Sequence, residues 1–171
     1  MKKFCYLILF FLSFLCLPAS AKIRLPHILC DNMVLQQQAD ARLWGWATPR
    51  TRVIIKPSWG PSHTTVADKE GRWSLRIRTP KGSYTPLSIT FSDEEAVTLH
   101  GILSGEVWVC GGQSNMEMPL QGFYECPVEG YQDAIADAGR IRGMRYVKIP
   151  AVMSATPKDD AVCHWEVMNA N

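Results

Sequence analysis

Several features that would mark a particular class of protein are missing from this sequence of 171 residues. Its 18 basic and 16 acidic residues give a formal net charge of +2, so it lacks the charge excess that attracts nucleic acids or anionic membranes. It has no C-x-x-C pair of the kind that holds zinc, no internal repeat and no low-complexity segment. A composition of 47% hydrophobic and 20% charged residues excludes a disordered chain and predicts one globular domain or two small ones.

The sequence also lacks an apolar run long enough to span a bilayer. The longest run, residues 4–17, is interrupted only by Ser13 and falls short of the roughly 20 residues needed. It follows Lys2 and Lys3 and leads into the A-x-A motif at 19–21, which is the pattern of a secretory signal peptide. We therefore expect cleavage before Lys22, export to the periplasm or the cell exterior, and no membrane attachment of the mature chain.

Export would permit disulfides, but the cysteine pattern does not fix them. Without the signal peptide, residues 1–21, four cysteines remain: Cys30, Cys110, Cys126 and Cys163. Four cysteines allow three pairings. Cys110 lies in an apolar run, which favours a buried free thiol, so Cys126 with Cys163 is the pair to test first.

Residues 23 to about 103 have the pattern of short strands. Brief β-branched, aromatic or alternating segments are separated by turn residues, and they cover residues 34–35, 41–46, 52–56, 64–67, 72–78, 87–91 and 96–103. Such spacing predicts an antiparallel β-sandwich over residues 22–103. For Trp44, Trp46 and Trp73, a place in the core or at a sheet edge is favoured over a sugar-stacking platform.

The pattern changes near Gly101. Residues 105–110 are predicted as a buried strand, residues 128–138 as a helix that ends at Gly139, and residues 144–149 as a second strand. This β-loop-α-β order predicts that residues 104–171 form the first part of an α/β domain.

One serine in this second part has the setting of a nucleophile. Gly111 and Gly112 would allow a tight turn directly after a strand, leaving the hydroxyl of Ser114 exposed. The backbone N–H of Ser114 could then donate to a developing oxyanion. The same short pattern also fits a serine that caps a helix, and this alternative stays open on the pattern alone.

A wider set of motifs favours the nucleophile. In matching order they are Leu25-Pro26, residues 31–36, residues 43–47, residues 68–73 and residues 105–120. Together they resemble the bacterial sialate O-acetylesterases, which are GDSL-like, or SGNH, hydrolases. The resemblance implies a β-sandwich followed by a flavodoxin-like α/β hydrolase domain. It also implies removal of acetyl groups from sialic acids or related glycans through an acyl-serine intermediate, without metal or cofactor.

The resemblance assigns roles to individual residues. Ser114 matches the nucleophile of the family, and Gly112, Gln113 and Asn115 match the loop that supports it. The family usually has serine at the position of Gly111, a small departure that leaves the turn feasible.

The partners that such a serine needs are not found in this chain. A histidine activates the nucleophile and an aspartate orients that histidine, and in the family both come from a D-x-x-H-like block near the carboxyl end. Further oxyanion donors, a glycine and an asparagine, are also missing. Four histidines occur, His27, His63, His100 and His164, and each is expected to be exposed or structural. Only His164 falls in the α/β part, near Asp159 and Asp160.

These gaps lead to an expectation about activity. Residues 104–171 are 68 in number, whereas a complete hydrolase domain usually has more than about 150. We expect a C-terminally truncated member with little or no turnover on its own. The alternative is a non-catalytic carbohydrate-binding or spacer β-sandwich with a remnant hydrolase segment, and the DNA beyond the codon for Asn171 would test both. The natural ester, which could also be an acetylated plant sugar, and the oligomeric state stay open.

Overall fold

A computed structural model describes residues 23–168 and consists mostly of β-strands. The predicted signal peptide, residues 1–21, lies outside the described residues. In chain order the elements are β1 (Val34–Gln36), β2 (Asp40–Trp46), β3 (Arg52–Pro57), β4 (His63–Val66), β5 (Arg72–Arg78), β6 (Ser83–Ser92), β7 (Ala96–Gly105), α1 (Ser114–Glu117), β8 (Gly122–Phe123), β9 (Cys126–Pro127), α2 (Tyr131–Ala138), β10 (Arg145–Val147) and β11 (Trp165–Val167).

The largest sheet has five strands in the order β1-β7-β6-β3-β4. Its neighbours are antiparallel except for β1 and β7, which run parallel with Val34 opposite Leu103. The register between β6 and β7 shifts between Ser83 and Ile89, and such irregularities bend a strand. The sheet is accordingly curled.

A second sheet pairs β2 with β5 along their whole lengths, from Asp40 opposite Arg78 to Trp46 opposite Arg72. Both sheets contribute to one hydrophobic core. The ring centroid of Trp73 on β5 lies 5.8 Å from that of Phe91 on β6, and both side chains are buried. The predicted strands up to β7 are confirmed, whereas the sandwich architecture stays a prediction.

The predicted buried strand at residues 105–110 is wrong. Strand β7 ends at Gly105, and residues 106–113 contain no helix or strand. Trp108 and Val109 are 83% and 96% exposed, and Cys110 is exposed rather than buried. No described strand lies beside these residues to form backbone hydrogen bonds with them. An apolar strand without neighbouring strands has nothing against which to bury its side chains.

The parallel α/β arrangement predicted beyond residue 104 is not found among the described residues. Helix α2 begins later than predicted, after Gly130 with φ of 74°, and it ends before Gly139 as predicted. Only residues 145–147 of the predicted second strand are β, and this strand, β10, pairs antiparallel with β11. Because residues 106–110 belong to no described sheet, β10 lacks the parallel partner that the sequence pattern implied.

Arg145 on β10 fastens this second half to the large sheet. Its Nη1 donates to the carbonyl oxygen of Asn32 at 2.7 Å and also to that of Gly101. Burial lowers the pKa of the guanidinium. We call these two hydrogen bonds from Arg145 the clamp. Gly101 has φ of 67°, and a Cβ there would lie 2.6 Å from Oδ1 of Asn32, so the clamp needs glycine at this position.

A second attachment lies near the start of the described chain. The backbone N–H of His27 donates to Asp160 Oδ1, and the ring Nδ1 of His27 contacts Asp160 Oδ2, both at 2.8 Å. Burial alone would raise the pKa of Asp160, but the hydrogen bonds from His27 and Ala161 hold the pKa below its usual 3.8. The indole Nε1 of Trp165 donates to the carbonyl oxygen of Ile28 at 3.0 Å.

All four cysteines of the described residues are free thiols. The pair suggested for a disulfide, Cys126 and Cys163, is therefore not bonded, with Cys126 exposed and Cys163 buried. Burial, with a smaller contribution from nearby Cys30, raises the pKa of the Cys163 thiol. Between residues 23 and 168 no helix is both long and apolar enough to cross a membrane.

Candidate active site

Ser114 is the first residue of α1, a helix of four residues. Its carbonyl oxygen accepts from the N–H of Met118 at 3.2 Å, and the N–H of Met116 donates to Gln113 at 2.9 Å. Gln113 occupies the cap position and makes no side-chain capping hydrogen bond. The hydroxyl of Ser114 is exposed and bonds to no described residue, so the helix-capping alternative is wrong and the hydroxyl is free to meet a ligand.

The two glycines before this serine serve different purposes. Neither Gly111 nor Gly112 is among the described glycines with positive φ, so the left-handed freedom of glycine is not used here. A Cβ at Gly111 would meet nothing within 4 Å, which leaves room for the serine usual in the family. A Cβ at Gly112 would lie 3.0 Å from Cγ of Met116, so glycine here lets α1 pack against the preceding loop.

The loop that carries Ser114 is anchored at its first residue. Glu106 accepts hydrogen bonds from Gln36 Nε2 at 3.0 Å and from Gln37 Nε2 at 2.6 Å. Oε1 of Gln36 in turn accepts from the N–H of Val107 at 2.9 Å. The two amide donors lower the pKa of Glu106. These hydrogen bonds tie the loop to the end of β1. The sequence motifs include Gln36 and Glu106 but assign no role to either residue.

The predicted support residues stand beside the serine as its chain neighbours. Gln113 and Asn115 are exposed, and neither side chain hydrogen-bonds to a described residue. The structure thus brings Gly112, Gln113, Ser114 and Asn115 together on one exposed turn. The support roles of the other three remain predictions.

The histidines lie on other elements of the fold. His63 lies on β4, and His100 is exposed on β7. The backbone N–H of His100 donates to Asp31 Oδ1 at 2.8 Å. His164 pairs with Glu166 at 3.4 Å. Among residues 23–168 none of these side chains contacts the hydroxyl of Ser114.

Asp160 was noted in the sequence as a neighbour of His164, but its partner is His27. Their paired contacts at 2.8 Å have the form of the histidine–carboxylate pair of an acyl-transfer site. The described part of the chain shows no hydrogen bond from this pair to Ser114. His27 and Asp160 are 133 positions apart in the sequence, so no local pattern could predict their contact.

No cluster of three or more histidine, cysteine or acidic side chains suited to a metal ion is found between residues 23 and 168. The tryptophans are divided between core and surface. Trp73 is 3% exposed and belongs to the core, as predicted, whereas Trp44 packs against the core and stays partly exposed. The guanidinium of Arg24 lies 3.6 Å from the ring centroid of Trp46 and covers that ring.

Two curated relatives support the resemblance drawn from the motifs. The sialate O-acetylesterase of Mus musculus is 25% identical over 152 residues, which is 83% of this chain and 27% of that protein. The sialate O-acetylesterase of Homo sapiens is 24% identical over 154 residues, covering 84% and 28% respectively. The chain therefore spans little more than a quarter of these relatives. No protein-family model matches it.

A solved structure extends the likeness to the fold. The crystal structure of a carbohydrate acetylesterase from Xanthomonas citri matches with a TM-score of 0.76 and 27% identity, covering 86% of this chain and 33% of that one. In fold and in sequence, the chain is thus similar to carbohydrate esterases. More particularly, the resemblance to the sialate O-acetylesterase family is confirmed.

Proposed function

We propose that this chain provides the nucleophile segment of a carbohydrate acetylesterase of the sialate O-acetylesterase type. The observation that carries the proposal is the similarity to an acetylesterase fold at a TM-score of 0.76, combined with an unpaired, exposed Ser114. The proposed substrates are O-acetylated sialic acids or other acetylated glycans, including acetylated plant sugars.

In the proposed reaction Oγ of Ser114 attacks the carbonyl carbon of the acetyl ester. The bond from Oγ to the acetyl carbon forms and the bond from that carbon to the sugar oxygen breaks. The proton of the serine hydroxyl passes to the sugar oxygen, and the sugar leaves as a free alcohol. Water then hydrolyses the acetyl-serine and releases acetate. The N–H of Ser114 is at the first position of α1, where a helix leaves its donors unpaired, so it can donate to the oxyanion.

The 171-residue chain alone should turn over slowly, because a serine hydroxyl without a general base is a weak nucleophile. Among the described residues no histidine contacts Ser114. We propose that imidazole added to the solution can act as that base. The test measures acetate release and acetylation of Ser114 by mass spectrometry, with an acetyl ester as donor, at rising imidazole concentration.

Ser114→Ala is the control, because imidazole itself cleaves activated esters. The proposal expects an imidazole-dependent rate above that of Ser114→Ala, with one acetyl group on the peptide that contains Ser114. Equal rates for the two proteins and no acetylated Ser114 would overturn the nucleophile assignment. A high rate without imidazole, lost in Ser114→Ala, would instead overturn the proposed low activity of the chain alone.

We further propose that the protein is exported, on the strength of the signal pattern in residues 1–21. Fractionation of cells that express the full chain should find it outside the cytoplasm, with Lys22 as the new N-terminus. Retention of the uncleaved chain in the cytoplasm would contradict this proposal.

A second candidate function is carbohydrate binding by the β-sheets, with no reaction at Ser114. A cleft beside the second sheet favours it, since Trp44 and several polar side chains line that cleft. Either function is compatible with the other, because the residues that line the cleft do not include Ser114.

A further inference from the structure

The cleft has a volume of about 500 Å³ and lies along the β2–β5 sheet. Its lining includes Trp44, Trp73, Arg42, Arg72, Ser74 and Asp159. All of these except Asp159 belong to β2 or β5. Asp159 comes from the segment that the adjacent Asp160 fixes to His27, so the cleft is closed on one side by the second half of the chain.

Unpaired polar groups converge on this cleft. The hydroxyl of Ser74, the carboxylate of Asp159 and the guanidinium of Arg42 hydrogen-bond to no described residue. Trp73 borders the cleft but is only 3% exposed. Because side chains alternate between the two faces of a strand, it points away from its exposed neighbour Ser74 and packs against Phe91 in the core. Its buried Nε1, which has no hydrogen-bond partner among the described residues, therefore does not face the cleft.

Trp44 supplies a flat apolar surface within the same cleft. Its side chain is partly exposed, and the guanidinium of Arg42 lies 5.5 Å from the ring centroid. The ring of Trp46, by contrast, is already covered by Arg24 at 3.6 Å. An aromatic ring flanked by planar polar groups suits a molecule with one apolar face and several hydroxyls on its edge.

The charges of the lining are balanced. Arg72 pairs with Asp68 at 3.1 Å and is further stabilised by the charge of Asp159, while Arg42 adds one more positive charge to the lining. Two arginines and two aspartates leave no net charge, which does not complement a polyanion. Hydroxyl groups can accept from a guanidinium and donate to a carboxylate.

We propose that this cleft is a sugar-binding site that holds a neutral pyranose unit of a glycan, apart from the reacting ester. The sugar ring stacks on Trp44, and Arg42, Ser74 and Asp159 bind hydroxyls at its edge. The choice of a glycan rests on the proposed function. The binding itself does not depend on Ser114.

The experiment titrates the full chain carrying Ser114→Ala with xylohexaose, lactose and 3′-sialyllactose, none of which has an acetyl ester at a hydroxyl. Indole N–H resonances are followed by ¹⁵N NMR. We expect the indole signal of Trp44 to shift with xylohexaose or lactose. Sialyllactose should bind no more tightly than lactose, because the carboxylate finds no unbalanced positive charge.

Arg42→Gln and Asp159→Asn should each weaken binding by about tenfold, as expected for the loss of a hydrogen bond to a charged group. Trp44→Ala should abolish it, and Arg52→Gln, an exposed arginine on β3 outside the cleft, is the matched control. Because Trp44→Ala could also affect folding, the two exposed polar variants decide the matter by themselves.

The proposal is overturned if no sugar shifts the indole signals, if only sialyllactose binds, or if Arg42→Gln and Asp159→Asn bind like Arg52→Gln. The outcome is separate from that of the esterase test, since binding is measured on a chain without the nucleophile. A chain that fails to transfer acetyl groups could still bind these sugars, and the reverse holds as well.

Discussion

Arg145 is hard to replace, because one of its guanidinium nitrogens donates to two backbone carbonyls, one in the loop before β1 and one on β7. Arg145→Met would keep the apolar stem and leave the carbonyl oxygens of Asn32 and Gly101 without this donor. We expect a loss of about 2 kcal/mol in the free energy of unfolding, in line with other buried groups left unpaired. Urea denaturation measures it.

Arg142→Met is the matched control, since Arg142 is exposed and has no hydrogen bond or ion pair with another described residue. It should change the unfolding midpoint little. Equal midpoints for the two variants would show that the clamp adds nothing to stability.

Gly101 is a position where a single methyl group should matter. Gly101→Ala would place a side chain at φ of 67° and bring its Cβ to 2.6 Å from Oδ1 of Asn32. We expect a loss of about 2 kcal/mol in the free energy of unfolding, measured by thermal or urea denaturation. Gly60→Ala, whose Cβ would meet nothing within 4 Å, should be close to neutral, and a similar loss there would contradict the steric argument.

At the scale of elements, the loop from β7 to α1 depends on one carboxylate. Glu106→Ala would remove the acceptor of Gln36 and Gln37 and free the loop that carries Ser114. We expect faster hydrogen exchange and proteolysis in residues 106–113, with the unfolding midpoint nearly unchanged because the anchor is exposed. Glu117→Ala, at an exposed acid on α1, is the control and should leave exchange in that loop unchanged.

The attachment of residues 160–165 to the start of the described chain should depend on pH. The pKa of Asp160 is lower in the folded protein than its usual 3.8. Its ionisation therefore stabilises the folded state above the pKa of the unfolded state, and this contribution is lost as pH falls through the folded pKa. We expect the difference in urea midpoint between the wild type and Asp160→Asn to be present at neutral pH and to shrink as pH falls below 3.8 and through the lowered pKa of Asp160.

Glu129→Gln controls for this experiment, because the exposed Glu129 has no hydrogen bond or ion pair with another described residue. The urea midpoint of Glu129→Gln should differ little from that of the wild type at every pH. If the difference between the wild type and Asp160→Asn persists undiminished into acid, the ionised carboxylate is not what holds the segment.

Elements whose pattern is local could be predicted, and elements that depend on distant partners could not. Strand β5 follows from the alternation of buried Trp73 and Ile77 with exposed arginines, and its limits were predicted correctly. The strand expected at residues 105–110 has the right residue types but no neighbouring strand. The site follows the same division: Ser114 was found from its motif, whereas the partnership of His27 with Asp160 spans 133 residues and leaves no trace in spacing.

The whole molecule is divided into a half with a packed core and a half with exposed apolar side chains. The buried hydrophobic residues belong to positions 23–103, with Cys163 as the exception. Many large apolar side chains beyond residue 106 are exposed, among them Trp108 at 83%, Val109 at 96% and Met153 at 100%. Exposed apolar surface of this kind favours association.

We therefore expect the chain from Lys22 onward, without the predicted signal peptide, to self-associate as its concentration rises, as measured by sedimentation velocity. The double variant Trp108→Ser/Val109→Ser should shift the equilibrium toward monomer. Val66→Ser, at a 60% exposed position on β4, should not. A chain that stays monomeric at high concentration, or a double variant that associates like the wild type, would contradict this expectation.

The parallel pairing of β1 with β7 has a consequence for the order in which the protein is made. Val34 lies opposite Leu103, so a ribosome must release nearly seventy further residues after β1 before that strand can find its place. Meanwhile β2 and β5 can already pair, because the two partners nearest to each other in the sequence are Trp46 and Arg72. The earliest strand is thus among the last to be incorporated during synthesis, and high-contact-order pairing of this kind is slow.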